Sequence, residues 1–111
     1  MTVTREIPKL QWTRYFDQVS KHLPASNVDV LVEGSDFIQI ETSRASLKGI
    51  SYDRNDDAID IFIEGLDHRI AAPSGVYVQE DAGKLSSVEV IDANGDKQVL
   101  RLTSLLALPS E

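Results

Sequence analysis

Acidic and amide side chains at alternate positions in two short stretches are the first arrangement in this sequence able to hold a cation. Asp53, Asn55 and Asp57 take positions one, three and five of a run with Glu64 at position twelve, the oxygen-ligand spacing of a calcium loop. Ala58, however, holds the sixth position, where the sharp turn of such a loop needs glycine, and Asp60 holds the apolar eighth. The stretch from Ala58 to Glu64 also reads as a strand, which at ~3.3 Å per residue carries Glu64 roughly 20 Å from the loop. Asp92, Asn94 and Asp96 repeat the partial pattern, with Lys97 sixth and Thr103 twelfth. Both stretches read as solvated turns.

Other reactive residue types are sparse. The chain has no cysteine, which excludes disulfides, thiolate metal sites and cysteine nucleophiles. Its two histidines, His22 and His68, lack the spacing of a third ligand that zinc requires. Ser74 follows Ala72 and Pro73, so the glycine two residues before a nucleophile-elbow serine is missing. The six glycines are dispersed among turns and build no phosphate loop. Asp60 and Glu64 share one side of a strand with Phe62 between them, an exposed acidic face that suits solubility and edge protection more than acid–base work. Catalytic, cofactor-binding and metal-ligating residues are therefore each assigned as none.

The elements that must position these residues begin with a helix. Pro8 suits a first helical position, where its missing N–H costs nothing. Trp12, Tyr15, Phe16, Val19 and Leu23 fall on one arc of about 100°, opposite Arg14, Asp17, Gln18 and Lys21. Leu10 faces the polar side as a singly exposed leucine. Pro24 ends the helix, giving a span of about 8–23. After Asn27 the pattern turns to strands: Val28, Val30 and Val32 alternate with Asp29, Leu31 and Glu33, and Ile38 and Ile40 with Gln39 and Glu41. Leu47 to Tyr52 contains Gly49, a candidate bulge. Ile59, Ile61 and Ile63 form the cleanest alternation, short runs follow near Ile70 and Val76 to Glu80, and Asn94-Gly95 marks a closing hairpin. The expectation is one α+β domain over 1–111, with the helix packed on a curved, mainly antiparallel sheet or small barrel of about six to seven strands.

Some strands are apolar on both faces. Leu31 and Phe62 occupy the polar-facing phase of their strands, and Tyr77 opposes Val76 and Val78. The second face then calls for a cover, supplied by the C-terminal leucines 105–108, by more of the sheet, or by a second protomer. Phe62, Leu31 and Tyr77 are the candidate interface residues.

Charge and hydropathy narrow the function classes. The formal net charge is −7; residues 1–23 carry +2, leaving −9 on the rest. Such a field repels phosphate backbones, so nucleic acid is not an expected partner. Nothing approaches the ~20 apolar residues of a membrane span, and the first residues lack a secretory pattern. A cytoplasmic chain without a membrane partner is expected.

Four segments together resemble a family of small bacterial proteins known only as a domain of unknown function: Thr4-Arg5-Glu6-Ile7-Pro8 with Trp12 and Phe16-Asp17, Leu47 to Asp53, Ile70 with Pro73, and Asn94-Gly95 followed by Leu100-Arg101. That resemblance implies a shared fold and transfers no activity and no site residue. The leading expectation is a non-enzymatic interaction module, acting as a homodimer or on a protein partner, without cofactor. The alternative is a small-molecule-binding domain or weak hydrolase with a pocket between helix and sheet, lined by Trp12 or Tyr15 with His22.

Overall fold

A computed structural model describes residues 2–26, 29–33, 45–63 and 66–107, and side chains over 2–22, 47–63 and 67–102. Strand β1 (Thr2–Glu6) leads through a 3-10 turn (Lys9–Gln11) into helix α1 (Trp12–Ser26). Strands β2 (Asp29–Glu33), β3 (Ala45–Asp53), β4 (Ala58–Ile63), β5 (Leu66–Ala71), β6 (Gly75–Asp81), β7 (Lys84–Ile91) and β8 (Lys97–Ala107) follow. They hydrogen-bond in the order β1-β6-β7-β8-β2-β3-β4-β5. Every described pairing is antiparallel, so the helix-on-antiparallel-sheet expectation holds. The sheet is not a closed barrel, since β1 and β5 end the strand order.

Three boundaries differ from the expected ones. Strand β1 went unforeseen, because its residues are all exposed and carry no apolar alternation; it pairs with the edge of β6, Arg5 opposite Val78. The α-helix proper starts at Trp12 rather than Pro8, whose backbone is extended at ψ 145 and precedes the 3-10 turn. It also continues through Pro24 to Ser26. A proline in the last turn forfeits one i→i−4 bond, a cost the remaining turn can absorb. The expected strand at Ile38 and Ile40 lies outside the described residues.

The buried faces follow the two-residue period. Ile59, Ile61 and Ile63 are at most 3% exposed, while Phe62 between them is 37% exposed. They join Ile50 of β3, Ile70 of β5, Val76 and Val78 of β6, Val88 and Val90 of β7 and Leu100 of β8 in one apolar cluster. Helix α1 adds Trp12, Phe16 and Val19, and Ile7 enters from the link before it. The sheet curls far enough for β5, last in strand order, to reach β8: His68 Nε2 lies 3.0 Å from Gln98 Oε1.

The helix also closes a strand edge. The described pairing between β2 and β3 covers Asp29 with Ser46 and Val30 with Ala45, and β3 then bulges between Leu47 and Gly49. Beyond the bulge, Ser20 Oγ accepts the Ile50 N–H at 2.9 Å and donates to the Ile50 carbonyl at 2.7 Å. One hydroxyl thus takes the place of a neighbouring strand's backbone. Edge groups left open invite foreign strands, and here α1 covers them.

Candidate functional site

An open groove flanks the polar side of α1. Lys9, Leu10, Thr13, Arg14, Asp17, Gln18 and Lys21 form one wall, and Tyr52, Arg54 and Asp57 of the β3–β4 connection form the other, around about 790 Å³. Leu10 is 99% exposed at its rim. The walls are tied together at one end. Tyr52 donates its hydroxyl hydrogen to Asp57 Oδ1 at 2.5 Å, and Lys9 Nζ stands 3.4 Å from the same oxygen. The Tyr52 hydroxyl holds the Asp57 carboxyl below the usual range, with Lys9 adding to the effect. The same bond raises Tyr52. Beneath, the Trp12 and Tyr52 rings meet edge to face at 5.0 Å, and Trp12 Nε1 donates to the Ile7 carbonyl at 2.7 Å.

Chain reversal forces this geometry on the β3–β4 connection. Asp57 adopts φ 50, a conformation Asp tolerates better than most residues. Asp53 accepts the N–H groups of Asn55 at 3.0 Å and Asp56 at 3.2 Å. The stretch singled out as a partial calcium loop therefore uses its oxygens locally. It also uses them on Arg69, whose guanidinium reaches Asp60 at 2.8 Å, Asp56 at 3.0 Å and Asp53 at 3.1 Å. Those carboxylates, Asp60 foremost, raise the Arg69 pKa. The Asp56 N–H is the largest influence lowering Asp53, with Arg69 and the Asn55 N–H also contributing. Nothing in the linear sequence marks Arg69 as the cation these acids meet. The actual partner sits on β5, where register places Arg69 opposite Asp60, a pairing invisible without knowing that β4 and β5 are neighbours.

The second acidic stretch is a hairpin turn, as expected from Asn94-Gly95. Gly95 adopts φ 84, the region glycine enters without steric cost. Asp92 caps the turn, accepting the Asn94 N–H at 2.9 Å and the Asp96 N–H at 3.0 Å. Gln98 Nε2 donates to its other oxygen at 3.1 Å. That amide bond is the main cause of the lowered Asp92 pKa, followed by the two backbone donors. Because the Gln98 nitrogen serves Asp92, its oxygen faces His68. That oxygen can only accept, so His68 carries its proton on Nε2. His68 lies on β5, the last strand of the order, in a line of polar groups running through buried Gln98 to Asp92. A base oriented by an amide and a carboxylate is half of a nucleophilic arrangement. Ser74 does not complete it: its Oγ lies 3.4 Å from the carbonyl oxygens of Ile91 and Asp92.

Of the candidate interface residues, Phe62 and Tyr77 lie on strands that are not neighbours. Phe62 lies on β4 over Gly49, where a Cβ would stand 3.5 Å from its ring, and pairs across to Asp67. Tyr77 lies on β6 and lines a small recess with Thr4, Gln79, Ser87, Glu89 and Arg101. In strand order β7, β8, β2 and β3 separate the two strands. Leu31 sits on β2 opposite Arg101 in register; its side chain lies outside the described residues, as do those of the C-terminal leucines. The backbone at 105–107 extends β8, with Leu106 opposite Leu85.

Tyr15 was offered as a pocket residue and is instead set under an ion pair. Arg5 Cζ lies 5.7 Å from its ring centre, and Arg5 Nε meets Glu80 at 3.2 Å. Burial, reinforced by the Glu80 charge, pushes the Tyr15 hydroxyl up to about 12. Among the described side-chain atoms, Tyr15 Oη is buried with no hydrogen-bond partner. Among the described residues, no group of three or more His, Asp and Glu side chains is placed to hold a metal ion. No described helix is long and apolar enough to cross a membrane.

A helix laid on a sheet whose described pairings are all antiparallel defines an α+β protein. The chain belongs to the family of unknown function DUF5335, which it matches over residues 3–111. It is 42% identical over 108 residues to an uncharacterized protein of Aquifex aeolicus, covering 96% of this chain and 97% of the relative. No solved structure matches. These matches agree with the resemblance read from Thr4–Pro8, Leu47–Asp53 and the Asn94-Gly95 hairpin: a small bacterial family of unknown function.

Proposed function

We propose that this protein is a non-enzymatic interaction module of the cytoplasm, binding a protein partner through the polar side of α1. The observation that carries this reading is Leu10, 99% exposed on the rim of a groove of about 790 Å³. A fully solvated leucine there adds nothing to folding and recovers roughly 25 cal/mol per Å² once a partner covers it. The charged side chains around it supply the polar rim of a protein contact. The ligand-pocket alternative called for Trp12 or Tyr15 to line a cavity with polar groups such as His22. Trp12 is instead 2% exposed, and none of the three lines the groove.

The test compares the full chain with its Leu10→Asp variant. A partner recovered from cells by cross-linking is purified and titrated calorimetrically against both proteins. Binding at least about tenfold weaker to the folded variant supports the module. Equal binding to both proteins, or turnover of a substrate without any partner, would sink it.

A further inference from the structure

The groove differs in charge from the protein that holds it. Lys9, Arg14, Lys21 and Arg54 line it against Asp17 and Asp57, a local excess of +2 on a chain of −7. We propose that it binds an extended acidic peptide segment of a partner protein, with one apolar side chain of that segment set against Leu10; this rests on the interaction reading above.

Shape, charge and preorganisation support it. Arg14, Gln18 and Lys21 recur at three- and four-residue intervals along one side of α1, and Leu10 precedes them on the 3-10 turn. From Leu10 to Lys21 that edge runs roughly 17 Å, at about 2.0 Å per residue in the 3-10 turn and 1.5 Å in the helix. An extended segment of about five residues at ~3.3 Å each spans it. Arg54 faces the segment from the opposite wall, so carboxylates on both sides of its backbone meet a cation. The Tyr52–Asp57–Lys9 tie holds one end of the groove in place before binding, which lowers the ordering cost of association. Field range then selects a peptide over other polyanions. At physiological salt the Debye length is roughly 8 Å, so a short segment in the groove feels chiefly the groove. A duplex or an anionic membrane must also lie over the −9 carried by residues after 23.

The probe is an array of labelled heptapeptides, each with a central apolar residue and randomised flanks built from either carboxylates or their amides. Binding to the full chain is read by fluorescence polarisation at low and high salt. Acidic peptides should bind at least about tenfold tighter than amide peptides, with the difference shrinking as salt rises. A Lys21→Glu, Arg54→Glu double variant, folded by circular dichroism, should lose that preference. Equal binding of the two sets overturns the proposal. So does tighter binding to phosphatidylserine vesicles or duplex DNA than to any acidic peptide. If a purified partner depends on Leu10 yet ignores the charge reversals, the peptide class falls and the interaction module stands. If Leu10→Asp changes nothing, both fall.

Discussion

Ser20 shows how much of this fold rests on a single oxygen. Its hydroxyl serves both backbone groups of Ile50 beyond the β3 bulge. Removing it leaves two partly buried groups unserved, and an unmade buried hydrogen bond costs about 1–3 kcal/mol. Ser20→Ala should therefore lower the unfolding free energy from urea titration by that amount, and a change under about 0.5 kcal/mol would mean water replaces the hydroxyl freely. Acid should act through Asp53, Asp57 and Asp92, all of whose pKa values are lowered by hydrogen bonds made in the folded chain. A lowered folded pKa adds stability that is complete above the unfolded carboxyl value of roughly 3.9 and is lost as pH falls through the folded values. Urea midpoints should thus hold from neutrality to about pH 5 and fall below about pH 4. In Asp92→Asn the fall should be shallower. An identical acid slope in that variant would show that the hairpin cap contributes nothing to the linkage.

At the scale of elements, the question is whether α1 is a strut or an ornament. Phe16 and Val19 are fully buried in the cluster shared with both halves of the sheet, and Ser20 meets β3 from the same helix. Phe16→Ala should then cost on the order of 3–5 kcal/mol, the range for an aromatic truncated inside a packed core. A loss below about 1 kcal/mol by chemical denaturation would show that the sheet stands without its helix. The helical stripe of Trp12, Tyr15, Phe16 and Val19 was legible because a 3.6-residue period survives any sheet beneath it. The end at Ser26 was not, because a proline marks a tendency that one turn of packing overrides.

At the scale of the whole molecule, Phe62 bears on self-association. It is 37% exposed between Asp60 and Asp67, and its ring lies over Gly49 of its own chain. We propose that a second copy pairs over this surface when the protein self-associates. Phe62→Lys should then turn a sedimenting dimer into a folded monomer; unfolding of a protein already monomeric would instead assign Phe62 to the chain's own packing.

Periodicity and turn chemistry are local, so the amphipathic helix, the Ile59–Ile61–Ile63 face and the Asn94-Gly95 hairpin could be read residue by residue. Which strands become neighbours depends on how the sheet curls, and that depends on every loop at once. The Arg69 cluster joins residues up to 16 positions apart, and the line from His68 to Gln98 joins residues 30 apart. The groove is of the same kind. Leu10, Arg14 and Lys21 were already visible as the polar side of a helix, but the wall opposite them comes from β3 and its turn. Docking of the helix on β3 brings those walls together, and no short-range pattern in the chain encodes that contact.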